Sequence, residues 1–210
     1  LMLTEKDEYI YHEMITHIPM ATNPNIRNIL VIGAGDGGTV RELVRYPSIE
    51  HIDVAEIDEM VVELSKKYLP FTACGFDDPR VDVHIQDGLR FVRKVENEYD
   101  LIIVDVFSAV RSIPMNFVTA DFFRMVKDRL KPNGIMVANV ITSPSFGNDF
   151  SRGLDNTLRQ VFPQYLDRRG LQPYNPYGRD LANVEYVYYN YPSDKTVYTQ
   201  DKNASFYGQW

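Results

Sequence analysis

Cysteine is almost missing: Cys74 is the single one among 210 residues, so no disulfide can close within the chain and the fold must rest on its core. No apolar run approaches the roughly 20 residues that cross a bilayer. The leading stretch LMLTEKDEYIYHEM has neither the basic start nor the apolar middle of a secretion signal. We therefore read a cytoplasmic chain without a membrane partner. Blocks of Lys and Arg are absent as well. With 22 basic against 29 acidic residues the net charge is −7, which disfavours a phosphate-driven nucleic-acid partner and suits a cationic ligand. What remains is ordinary globular material, 44% hydrophobic and 24% charged, long enough for one sizeable core without metal or disulfide staples.

Short runs rich in Val and Ile alternate with longer amphipathic stretches, the pattern of repeated βα units around a parallel sheet. Strands are predicted at Asn28 to Ile32, His51 to Ala55, Val81 to Ile85, Asp100 to Val104 and Ile135 to Val140. Helices are predicted at Gly38 to Arg45, Glu59 to Tyr68, Leu89 to Val95 and Thr119 to Leu130, with Thr119 as N-cap and Gly134 just beyond the last. A further helix, Phe150 to Phe162, precedes two strand-like stretches, Tyr165 to Arg169 and Glu185 to Tyr191, which suggest a C-terminal antiparallel hairpin. The fold class is thus α/β, a mostly parallel sheet with helices on both faces. Tyr186, Tyr188, Tyr189 and Tyr191 alternate along the last stretch, which fits an edge hairpin with two ordinary faces or one face set against another subunit. Val106 to Val118 and Gln172 to Leu181 follow no regular period and read as long loops, where sites tend to be built.

The first βα turn is Gly33-Ala34-Gly35-Asp36-Gly37-Gly38, formally G-x-G-x-x-G. Glycines there allow a tight turn and a close approach of a nucleotide. Glu56 follows at the end of the second strand, where a carboxylate can take both ribose hydroxyls, so an adenosine-type ligand is expected. Asp36 narrows the choice, because a carboxylate inside this loop would repel the diphosphate of a dinucleotide. S-adenosylmethionine fits only partly: its own carboxylate lies near this turn, and Val31 stands where such enzymes often carry an acid. A nucleoside with a cationic arm and no carboxylate satisfies Asp36 better. Asp87-Gly88 after the third strand can meet an adenine amino group, and Asp105 ends the fourth. Each acid alone could be a helix cap. Asp36, Glu56, Asp87 and Asp105 following four successive strands nevertheless share one crevice in an open α/β sheet.

Taken together, Leu3 to Met14 (LTEKDEYIYHEM), Ile32 to Glu42 (IGAGDGGTVRE), Glu56-Ile57-Asp58, Asp87-Gly88 and Tyr99 to Asp105 (YDLIIVD) resemble the spermidine synthases, the polyamine aminopropyltransferases. The resemblance implies a Rossmann-like, class I methyltransferase-like fold, with residues 1–18 as an N-terminal segment contributing to the active site and residues 19–210 as a single catalytic domain. It also implies transfer of a 3-aminopropyl group from decarboxylated S-adenosylmethionine, a co-substrate and not a prosthetic group, to a cationic amine, leaving methylthioadenosine. On that resemblance Asp105 and Tyr11 are catalytic, while Gly33, Gly35, Asp36, Gly37, Glu56, Ile57, Asp87 and Gly88 bind the nucleoside. His12, Asp36, Asp105, Ser108 and Tyr174 then face the amine and the aminopropyl arm. No metal is implied, and a homodimer is. The alternatives are a class I methyltransferase and a nucleoside-binding relative with weak catalysis.

Three positions depart from the family pattern. Ser108 stands where a second acid is usual, Asn175 where the tyrosine of a P-T-Y-P-S-G turn is usual, and Met2 where a glutamine is usual. All three fall on the amine side, so an acceptor other than putrescine, or reduced activity, is expected. The small β-domain that normally precedes the L-T-E segment is not seen, which reads as a fragment or a shortened member.

Overall fold

Three of the five Val/Ile runs close on a glycine or an acid, Gly33, Glu56 and Asp105, and the backbone follows that punctuation. The computed structural model describes residues 7–106, 114–142, 149–162 and 182–184. They fall into two compact units, one of residues 1–106 with 129–138 and the other of 107–128 with 139–210.

In the first unit β1 (Asn28–Gly33), β2 (His51–Glu56), β3 (Val81–Ile85), β4 (Tyr99–Asp105) and β5 (Leu130–Ala138) form one parallel sheet in the order β3-β2-β1-β4-β5. Ile29 to Ile32 are consecutively buried, so β1 packs on both faces, as a central parallel strand must. Helix α1 (Glu8–Thr22) packs on α2 (Gly38–Val44), and α3 (Glu59–Tyr68) packs on α4 (Pro70–Ala73). Right-handed crossovers put α2 and α3 on one face of the sheet and α5 (Gly88–Lys94) on the other. Ile15, Val40, Leu43, Val31, Ile52 and Leu101 are fully or nearly fully buried in the resulting core.

The second unit holds a 3-10 turn (Met115–Phe117), α6 (Ala120–Lys127), β6 (Val140–Thr142), α7 (Asp149–Val161) and β7 (Ala182–Val184). Thr119 caps α6 as predicted, its Oγ1 accepting from the Phe122 amide at 3.2 Å. Helices α6 and α7 pack together, and Lys127 Nζ donates to the Val161 carbonyl at 2.7 Å. Among the described residues no helix is long and apolar enough to cross a membrane.

The strands agree with their sequence signals to within two residues, β5 excepted. That strand starts at Leu130 and not at Ile135, and α6 ends at Lys127, because Pro132-Asn133-Gly134 is an irregularity inside a strand and not a helix terminus. Asn133 takes a positive φ of 65°, and residues 131–134 fall in the register shift between β4 and β5, where proline costs no ladder bond to β4. The antiparallel pairing seen is β6 with β7. The hairpin expected from 165–169 and 185–191, with its four tyrosines, lies outside the described residues.

Candidate active site

Reversal of strand order between β1 and β4 opens a crevice at the carboxyl ends of those two strands. Gly33 and Asp105 are register partners there. Gly33 has φ +88°, and a Cβ on it would stand 2.1 Å from the Asp105 carbonyl oxygen, so only glycine fits. The Ala34 amide then donates to that carbonyl at 3.2 Å, tying the turn to β4. The buried Glu56 carboxylate meets the same turn from β2: the Gly35 amide donates to Oε2 at 3.1 Å and the Asp58 amide to Oε1 at 3.0 Å. Between Glu56 and Asp58 the Ile57 side chain stands exposed.

Asp105 is buried, and two hydroxyls end on its Oδ2: Tyr11 at 3.1 Å and Thr39 at 3.2 Å. Burial, the Asp105 charge and that of Asp36 push the Tyr11 phenol well above its ordinary pKa, so it stays a neutral donor. Next to Tyr11, the His12 ring is fully buried, 4.0 Å from the tyrosine ring centre. Its Nδ1 lies 2.5 Å from Glu8 Oε2 and its Nε2 lies 3.2 Å from Asp36 Oδ1. Burial works against the imidazolium, but the two carboxylates win and the His12 pKa is raised. Asp36 answers in the opposite sense. Burial favours its neutral form, yet His12, the Gly38 amide at 2.7 Å and Arg41 hold it below the usual carboxylate range. Behind His12, Arg41 grips Glu8 with two bonds of 2.9 and 3.1 Å.

The expected residues thus come together unevenly. Tyr11, His12, Gly33, Gly35, Asp36, Gly37, Glu56 and Asp105 gather around one turn. Asp87 caps α5, its Oδ1 accepting from the Arg90 amide at 2.8 Å, with Gly88 buried as the first residue of that helix. Ser108 and Tyr174 lie outside the described residues, as do Met2 and Asn175. Sequence reasoning did not find Thr39, Glu8 or Arg41. Glu8 and His12 stand one helical turn apart, a spacing that could have paired them. Thr39 follows the glycine turn directly, where a helix presents its first side chains to the crevice.

Residues 8–168 match the Spermine/spermidine synthase domain. The chain belongs to that family. It is 57% identical over 166 residues to the polyamine aminopropyltransferase of Alkaliphilus oremlandii (strain OhILAs), a match covering 78% of this chain and 57% of the relative. A spermidine synthase solved in complex with the transition-state analogue AdoDATO superposes with a TM-score of 0.66 at 39% identity, over 77% of this chain and 53% of that one. Human methyltransferase-like protein 13, solved in complex with SAH, follows at 0.59 and 26%, over 80% and 77%. That likeness extends the Rossmann-like, methyltransferase-like architecture beyond the family. The chain spans little more than half the length of the aminopropyltransferase and the spermidine synthase.

Proposed function

We propose that this spermidine synthase family chain transfers a 3-aminopropyl group from decarboxylated S-adenosylmethionine to an amine of the polyamine class. The observation carrying this reading is the pair of carboxylates beside the glycine turn, Asp36 held by His12 and Asp105 held by Tyr11 and Thr39. The donor carries two positive centres, a sulfonium and a terminal ammonium, and its acceptor is a cation at neutral pH. In this reading Glu56 takes the ribose hydroxyls, Asp87 and Gly88 with Ile57 the adenine, and Asp36 the ammonium of the aminopropyl arm. The amine lies against Asp105, with His12 beside the arm.

In this reading the acceptor nitrogen attacks the methylene next to sulfur. A C–N bond forms, the C–S bond breaks, and the sulfonium leaves as the neutral thioether methylthioadenosine. An aliphatic amine with a pKa near 10 is only about 0.1% neutral at pH 7, so a group must take its proton. Asp105 is the acceptor at hand. Two hydroxyl donors fix the direction of its carboxylate, so orientation of the nitrogen supplies much of the acceleration. The same reading includes a homodimer in the cytoplasm without a nucleic-acid partner.

Methylthioadenosine release, measured with decarboxylated donor and a panel of amines, tests the proposal. Turnover with at least one polyamine precursor is expected, with S-adenosylmethionine binding more weakly than the decarboxylated donor. The reverse order of binding, or methyl transfer, would replace this reading with a methyltransferase.

A further inference from the structure

We propose that His51, Asp53 and Asp82, with His84 hydrogen-bonded beside them, form a binding site for a zinc-class divalent transition-metal ion on the face of strands β2 and β3, apart from the crevice. Parallel pairing places Asp53 opposite Asp82 and Ala55 opposite His84. His51 and Asp53 therefore share a face with Asp82 and His84, because alternate residues of a strand point the same way. The four form a two-by-two patch, which the register itself builds.

The distances suit a metal. One ligand atom from each of His51, Asp53 and Asp82 can be chosen so that all lie within 4.8 Å of one another. His51 Nε2 is 3.2 Å from Asp53 Oδ1 and 3.8 Å from Asp82 Oδ2. Two ligands at about 2.0 to 2.1 Å from a tetrahedral ion are separated by about 3.4 Å, between those two values. His84 Nε2 lies 2.6 Å from the same Asp53 oxygen, a hydrogen-bond contact that steadies this carboxylate from beside the group of three. One imidazole and two carboxylates, with a fourth position left to water, are a donor set whose nitrogen favours Zn²⁺, Co²⁺ or Ni²⁺ over Mg²⁺ or Ca²⁺.

The surroundings are arranged as metal sites are. Asp53 is buried, and its other oxygen accepts from the Tyr99 hydroxyl at 2.7 Å, which fixes the carboxylate plane. The His84 ring rests 4.8 Å from that of Phe91. His51 and His84 are about one-third exposed and Asp82 two-thirds, so an ion can reach the patch from solvent. None of the four belongs to the machinery proposed for aminopropyl transfer.

Titration of the untagged full chain with Co²⁺ tests the site, since four-coordinate Co²⁺ absorbs visibly where the hexaaqua ion barely does. One ion per chain is expected, displaced by Zn²⁺, with uptake weakened at least about tenfold in both His51→Ala and Asp82→Asn. Tyr99→Phe should weaken it about tenfold while leaving the ligands in place. Zn²⁺ should raise the melting temperature of the parent chain and leave that of His51→Ala unmoved. Failure of the parent chain to take up Co²⁺, or undiminished uptake in His51→Ala and Asp82→Asn, would overturn the proposal. Both substituted side chains are partly exposed, so the variants fold, and far-ultraviolet dichroism of each checks that they do.

Discussion

Tyr11 donates its phenolic hydrogen to Asp105 Oδ2 across 3.1 Å, joining the first helix to the end of the fourth strand over 94 positions of sequence. Thr39 donates to the same oxygen from the start of α2. Three elements thus converge on one carboxylate, and its orientation depends on all of them. Tyr11→Phe and Thr39→Val each remove one hydroxyl and keep the shape. A hydrogen bond to a charged acceptor is worth about 1.5 to 3 kcal/mol, so turnover should fall roughly 10- to 100-fold in each while the fold persists. Methylthioadenosine release under saturating donor measures it. Parental rates in both variants would show that Asp105 needs no orientation.

In the proposed reading Asp36 answers to the arm of the donor and Asp105 to the acceptor amine, so the two are separable. That reading sets Asp36 against the aminopropyl arm, which the decarboxylated donor carries and methylthioadenosine lacks. Asp36→Asn should therefore weaken donor binding roughly tenfold or more, through loss of a charge-assisted bond, and leave methylthioadenosine affinity within about twofold. Calorimetry with both ligands compares them directly. Equal losses for the two would place the arm elsewhere.

Much of this site could be read along the chain, for a definite reason. Glycine and carboxylate placement at strand ends is local: Gly33 and Glu56 close β1 and β2, and the NILVI and HIDVA runs announce their strands. Partnerships across the fold leave no such trace. Arg41 reaches Glu8 over 33 positions, and nothing in either neighbourhood names the other. Local signals also misled. Pro132-Asn133-Gly134 looks like the end of a helix but is an irregularity within strand β5.

His12 supplies a pH signature. Its folded pKa is raised above the ordinary value of about 6.5, so its ion pairs with Glu8 and Asp36 contribute stability fully below that value. The contribution is lost as pH rises through the folded value. Asp36 has the opposite sign: its lowered pKa contributes stability above the usual carboxylate value and loses it as pH falls through the lowered one. The excess stability of the parent chain over His12→Gln should therefore shrink as pH rises from about 6 to about 9. Denaturant unfolding at a series of pH values gives it. A difference that stays constant across that range would mean His12 is neutral throughout.

Gly38 is the seat on which His12 rests. A Cβ at Gly38 would stand 2.1 Å from the His12 ring, with the other ring atoms at 2.3 and 2.4 Å, so no small adjustment accommodates it. The ring cannot retreat easily, because Glu8 and Asp36 hold both of its nitrogens and it has no exposed side. Gly38→Ala must therefore displace His12, breaking its ion pairs, or shift α1 away from α2. Overpacking of this kind costs about 1 to 3 kcal/mol, and alanine's better helix propensity returns only about 1 kcal/mol of it. A lowered melting temperature is expected, together with weaker binding of the decarboxylated donor, since Asp36 loses the partner that keeps it aimed. An unchanged melting temperature with unchanged donor affinity would mean that α1 does not press its histidine onto the turn.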